Sequence, residues 1–327
     1  MDLFTHVLVA YLVTFGLVGF QPSYLAAGAL AGGLPDADAL FFPLAKRFPI
    51  LRHHGITHSL TGVTIVGVVG ALVAPRLAPG SPYIYFAVMM VGGCAHILQD
   101  GFTNFAVPPL LPFSKQLFHL DADRAINFAT MGVSIVSFYL LLGVERNHVA
   151  FSVYLGTVYA LMVFFAAYFA IRLTGRYLVG RRRVELGGYQ VVLPMGSPLN
   201  WILLSEENLG GRVRTRWARY AFGRGIVDGP YSVEAPVEVP PHTGAPHSAA
   251  EALDWSYGLA RKASGVIEST YHFGEAFLSA AGEWVAVWYS LEFTALGRAS
   301  AVRVRFPPSG ATPVVKSAFY RPIHGAV

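Results

Sequence analysis

Six apolar stretches dominate the first half of the chain: Leu3–Phe20, Tyr24–Leu34, Leu60–Val73, Tyr83–Val107, Ile126–Val144 and Ala150–Leu173. A helix needs about 20 apolar residues to cross a hydrocarbon core, and four of the six reach or approach that length. Tyr24–Leu34 and Leu60–Val73 are short, and are expected to tilt, to re-enter, or to be lengthened by their neighbours. Beyond Arg183 the pattern changes. Val184–Leu193, Trp201–Ser205, Val213–Phe222 and Tyr231–Val239 read as short strands, with turn chemistry between them at Gly187-Gly188, Gly210-Gly211 and Asp228-Gly229-Pro230. Pro236–Ser248 reads as a loop and Ala249–Ser264 as a helix; Ile267–Ala281 favours helix slightly. Val285–Phe293, Ala301–Phe306 and Val314–Tyr320 read as a closing meander. The pattern therefore predicts an α-helical polytopic membrane domain of about six helices over residues 1–175, a basic linker at 176–183, and a mainly β (α+β) domain over 184–327.

Composition sharpens this division. The 327 residues are 54% hydrophobic and 13% charged, about half the charge of a typical soluble chain, which argues against disorder and against an ordinary soluble enzyme. Residues 1–175 hold 8 Lys+Arg and 7 Asp+Glu, and the rest of the chain holds 16 and 12. The single cysteine, Cys94, excludes a disulfide framework and a Cys-rich metal site. The net charge of +5 is accounted for by basic loops at a membrane face, and no nucleic-acid motif accompanies it. With six crossings from an inside start, the inner loops Pro35–Thr57 and Pro108–Ala125 carry Lys46, Arg47, Arg52, Lys115 and Arg124. The tail then opens with Arg176 and Arg181, Arg182 and Arg183, whereas only Arg76 and Arg146 fall outside. Both termini and the C-terminal domain are thus expected in the cytoplasm, with the chain in the cell (inner) membrane. Asp2 stands where a cleaved signal peptide needs basic residues. Ala27, Gly28, Ala31 and Gly32 form a stripe that suits close helix packing.

Ionisable groups inside apolar stretches are costly, so each is a functional candidate. His6 lies one turn into the first stretch. Asp36 and Asp38 follow Pro35; His53, His54 and His58 precede the third stretch; His96 and Asp100, four apart, share one helix face in the fourth. In the six-crossing topology all of these fall at one membrane face. Imidazole with carboxylate and no thiolate suits zinc, manganese or iron(II), and a metal centre lowers the pKa of bound water from 15.7 to about 7. Plainer readings exist for each group alone: a His96–Asp100 hydrogen bond, an interfacial His6, a turn capped by Asp36 and Asp38. Together they would be costly to bury without a cation. Asp121 and Asp123, in the next loop, read as solvated charge. Thr57 or Ser59 is a candidate helix cap.

The motifs Thr5-His6, Leu34-Pro-Asp-Ala-Asp38, His53-His-Gly-Ile-Thr-His-Ser-Leu60 and Ala95-His-Ile-Leu-Gln-Asp-Gly-Phe-Thr-Asn104 resemble those of the YdjM-type family. The resemblance covers residues 1–130 closely, and Pro108-Pro-Leu-Leu-Pro-Phe113 is similar to the family's proline-rich segment. It implies a membrane-bound metal-dependent hydrolase. His6, Asp36, His58, His96 and Asp100 are the metal ligands expected, with Asp38 and His53 as catalytic groups, further ligands or groups that orient the ligands. His54 stands where the family has Arg. A looser likeness, to zinc-dependent phospholipases C and P1-type nucleases, points to phosphoester hydrolysis and to two ions, zinc first. The expected substrate is an ester or phosphoester, lipid or lipid-linked, reached from the bilayer.

Two other classes compete. A transporter could use the same His and Asp groups as an ion or proton path, but the outer halves of the apolar stretches carry almost no ionisable residues. A non-catalytic scaffold would hold a structural metal with no open position. The C-terminal part shows no catalytic motif; His242, His247 and His272 lack metal spacing, and Arg212, Arg214 and Arg216 alternate as on a solvated strand face.

Overall fold

The computed structural model describes residues 1–41, 55–104, 106–124, 126–146, 150–236, 244–263, 272–295 and 298–320. His53 and His54, the basic residues Lys46, Arg47 and Arg52, and 237–243 of the expected loop lie outside the described residues. The chain divides into two compact units, Met1–Arg176 and Tyr177–Val327.

The first unit is helical: α1 (Leu3–Val18), α2 (Pro22–Gly33), α3 (Leu60–Leu77), α4 (Pro82–Phe102), α5 (Phe128–Arg146) and the start of α6 (Phe151–Arg182), with short 3-10 turns at Pro35–Phe41 and Ile56–His58. Local chemistry sets the starts. Asp2 caps α1 by accepting from the Thr5 amide at 3.0 Å, and Ser59 caps α3 by accepting from the Gly62 amide at 3.2 Å. Pro22 and Pro82 occupy the first turns of α2 and α4, where a missing N–H costs nothing.

Among the described residues, three helices, α3, α4 and α6, are long and apolar enough to cross a membrane. The six crossings expected from the apolar stretches are not all matched by helix length: α1 has 16 residues and α2 only 12, and 12 residues rise about 18 Å against a core of about 30 Å. α3 runs four residues beyond Val73, through Pro75 to Leu77. The outward faces are apolar, with Leu72 68% and Val163 69% exposed; a surface of this kind suits lipid.

The small-residue stripe does what close packing requires. A Cβ on Gly32 would stand 2.3 Å from the Ala10 Cβ, and one on Gly28 2.1 Å from the Thr14 hydroxyl. On α4, a Cβ on Gly92 would lie 2.1 Å from the Gly28 carbonyl oxygen. Helix α2 is therefore in backbone contact with both α1 and α4. Gly92→Ala is expected to push α2 and α4 apart and to cost about 1–3 kcal/mol, as overpacking does. Thermal unfolding in detergent measures this; an unchanged midpoint would show that the contact carries no stability.

The second unit is built on two antiparallel four-stranded meanders. The first is β1 (Val191–Pro194), β2 (Asn200–Asn208), β3 (Arg212–Ala221) and β4 (Gly225–Pro236); the second is β5 (His272–Leu278), β6 (Trp284–Ala295), β7 (Arg298–Phe306) and β8 (Val314–Tyr320), with α7 (Ala249–Ala263) between them. Successive residues of β2 face opposite ways: Ile202 and Leu204 join a core with Trp217 and Phe273, while Trp201 and Leu203 pack with Val179 and Tyr189. Trp217 meets Phe273 edge-to-face at 5.4 Å, and Ser256 of α7 accepts from the Trp288 indole at 2.8 Å.

Residues 176–182 continue α6, and Val179 has a buried place against the first sheet. Two sequence expectations need correction here. Of Val184–Leu193 only Val191–Leu193 is strand; before it the chain turns at Gly187 and Gly188, at φ of 118° and 75°, a region open to glycine. Within Ile267–Ala281, read as helix, His272–Leu278 is strand β5. Pairing with β6 overrides local propensity there, and Gly274 lets the Trp288 ring approach to 2.7 Å of where a Cβ would stand.

Candidate metal centre

The site forms where α1 begins, α2 ends, α3 begins and α4 ends. His6 comes from the first turns of α1, Asp36 and Asp38 from the 3-10 turn after α2, His58 from the 3-10 turn before α3, and His96 and Asp100 from the last two turns of α4. Alternation of chain direction brings these ends together, and the small residues of α2 allow the close approach.

His6, Asp36, His96 and Asp100 each offer one ligand atom, all within 4.8 Å of one another. Bonds of about 2.0–2.2 Å to a shared zinc ion keep two ligand atoms within roughly 4.4 Å, so the group is near a binding arrangement. Asp100 is the hub: its carboxylate lies 3.0 Å from His6 Nε2, 3.2 Å from His96 Nε2 and 3.5 Å from His58 Nε2, and it also pairs with the Met1 amino group. Asp36 lies 3.5 Å from His58 Nε2 and 3.8 Å from His96 Nε2. The His6 and His96 rings stack at 3.8 Å. His6, His58 and His96 are fully enclosed, and the Asp36 side chain is 19% exposed.

The chemistry of these donors fits a cation. His96 Nδ1 lies 2.7 Å from the Gly32 carbonyl oxygen, which can only accept, so Nδ1 carries the proton and Nε2 presents its lone pair to the cluster. Buried, Nε2 has no hydrogen-bond partner and faces carboxylate oxygens, an arrangement that calls for positive charge between them. Burial alone would lower the basicity of His58, yet hydrogen bonding to Asp36 and Asp38 and the charge of Asp100 push it up to about 9. Burial would likewise raise Asp36, but His58, His96 and His6 hold it below the usual carboxylate range. The carboxylates thus favour a positive charge on His58, and the imidazoles favour the negative charge of Asp36.

Asp38 reaches the cluster through His58. Its Oδ2 lies 3.3 Å from His58 Nδ1 and accepts from the Thr57 hydroxyl at 2.6 Å, the carboxylate–imidazole pairing that orients a metal-ligating histidine. His53, the other catalytic candidate, lies outside the described residues.

Asp121 and Asp123 are not solvated loop charges. Backbone bonds from Leu120 to Gly101 (2.7 Å) and from Ala122 to Phe102 (3.0 Å) lay their segment along the end of α4, and Asp123 is fully buried. It accepts from Arg172 and the Tyr168 hydroxyl and from Asn127 at 3.1 Å; Asp121 lies 2.9 Å from His119. Arg172 is 0% exposed. Its signal was in the sequence, as the one charge inside Ala150–Leu173. The Gly32 carbonyl, a backbone group, had none.

A family model described as YdjM inner membrane protein matches residues 1–179. No curated protein and no solved structure matches the chain.

Proposed function

The chain belongs to the YdjM inner membrane protein family, and on that premise we propose that it is a metal-dependent hydrolase of ester or phosphoester bonds. The observation that carries the reading is the meeting of His6, Asp36, His58, His96 and Asp100, from four separate helix ends, around one enclosed point. These five residues would hold the cation, with zinc favoured by the imidazole–carboxylate set over manganese or iron. Such a cation supplies Lewis acidity and makes water acidic enough, at a pKa of about 7, to attack at neutral pH.

The chain's own groups do the rest. The Gly32 carbonyl and Asp38 orient His96 and His58. The enclosure of the three imidazoles limits bulk water, and Asp36, the more exposed carboxylate, stands where a substrate would reach the cluster. Transport is less well supported, since among the described residues α4 carries no ionisable residue before His96 except tyrosines and Cys94, and α3 none before Arg76. The basic loops favour a centre on the cytoplasmic side.

Full-length protein in detergent should contain a stoichiometric divalent cation and hydrolyse at least one of a phosphomonoester, a phosphodiester and a lipid ester. A chelator should abolish the activity and zinc or manganese restore it. Metal-free wild-type protein of full stability, inert to added metal, would overturn the proposal.

A further inference from the structure

A groove of about 200 Å³ runs between α2, α3 and α4, walled by Leu34, Pro35, Thr57, Val63, Val66 and Gly93. Among the described residues, Thr57 is the one wall residue with a polar side chain and no wall residue is ionisable. The polar end is informative. Pro35 precedes Asp36, and Thr57 donates to Asp38 at 2.6 Å and precedes His58. At the other side the groove reaches Ile65, 57% exposed on the apolar surface of α3. α3 and α4 are both long and apolar enough to cross a bilayer, so the groove opens where hydrocarbon chains surround the protein. The pocket's depth depends on absent side chains: a Cβ on Gly93 would stand 2.6 Å from Val63.

We propose that this groove seats one hydrocarbon chain of an amphiphilic lipid substrate, so that the ester next to that chain lies at the His/Asp cluster. The assignment of the lipid as substrate rests on the hydrolase reading. Its physical logic is positional. Because lipid tails are as apolar as the groove, the chain gains little from leaving the bilayer; selection comes from shape along the groove and from the polar group at its end. A water-soluble ester would use only the cluster end.

The test uses full-length protein in nanodiscs containing phosphatidylglycerol with a photoactivatable diazirine midway along one acyl chain. Crosslinks should concentrate on Leu34, Val63 and Val66 rather than on the exposed Val163 and Ile171 of α6. Val66→Phe, which fills the groove, should lower the groove crosslinks, and the ratio of long-chain to short-chain ester hydrolysis, by roughly tenfold or more, as a misfit in an apolar pocket does. Val66→Ala, which widens it, should keep both. Crosslinks spread evenly over the lipid-facing helices, or groove crosslinks insensitive to Val66→Phe, would overturn the proposal. Crosslinking is repeated in Asp100→Ala, where groove capture should persist although hydrolysis is lost; groove capture by a wild-type protein that hydrolyses none of the esters would remove the hydrolase reading and leave the chain-binding groove standing.

Discussion

Asp100→Ala should abolish cation binding at the proposed centre, with metal content by mass spectrometry falling to a tenth of wild type or less. Three imidazoles turn toward this one carboxylate, at 3.0, 3.2 and 3.5 Å, so its loss removes both a ligand and the negative charge that faces them. His96→Ala should do the same by removing the Nε2 lone pair. Asp38→Asn is the contrasting case. It leaves the ligands in place and weakens only the orientation of His58, and losing such an outer partner lowers metal affinity by about 10–100-fold. Metal titration should therefore rank the variants wild type, Asp38→Asn, then Asp100→Ala and His96→Ala. Thermal unfolding of each checks that the fold persists. Full metal content in folded Asp100→Ala would dismantle the centre as described.

The second large effect is expected away from the centre, at Arg172. Its guanidinium and the Asp123 carboxylate are both fully buried, and Asp123 is further held by Tyr168 and Asn127. Removing one partner leaves an uncompensated charge where water cannot reach, a loss of about 3–5 kcal/mol. Arg172→Ala and Asp123→Ala should each lower the unfolding midpoint strongly. Replacing both by leucine should recover much of the loss, because a packed apolar pair no longer carries the desolvation cost of two ions. Equal damage in the double and single variants would mean that the neighbours Tyr168 and Asn127, rather than the charge pair, carry the stability.

The candidate ligands were legible because charge inside an apolar stretch has few inexpensive explanations. His6, His96 and Asp100 stood out for that reason, Asp36 and His58 as ionisable groups at the borders of such stretches, and their motifs resemble those of the family to which the chain belongs. Arg172 met the same criterion. Asp121 and Asp123 misled because loop position was read as exposure, whereas backbone pairing with residues 101–103 carries them inward. In the second unit, the turn at Gly210-Gly211 marked a real hairpin, whereas Asp228-Gly229-Pro230, read as a turn, lies inside β4 beside a break in its register with β3, and the β3–β4 hairpin turns at 222–224. The strand at His272–Leu278 was missed because its pairing partner, β6, is a later stretch of chain.

Sequence alone determined the division into an apolar helical half and a strand-rich half, and the set of ionisable groups that burial makes expensive. Both depend on local quantities: hydropathy, periodicity and residue chemistry. Tertiary structure alone decided that Asp100 is the hub, that Asp38 acts through His58, that the Gly32 carbonyl orients His96, and that a groove opens beside Thr57. Those depend on how closely helix ends distant in the chain approach one another, and glycines such as Gly28, Gly32 and Gly92 set that approach by what they lack.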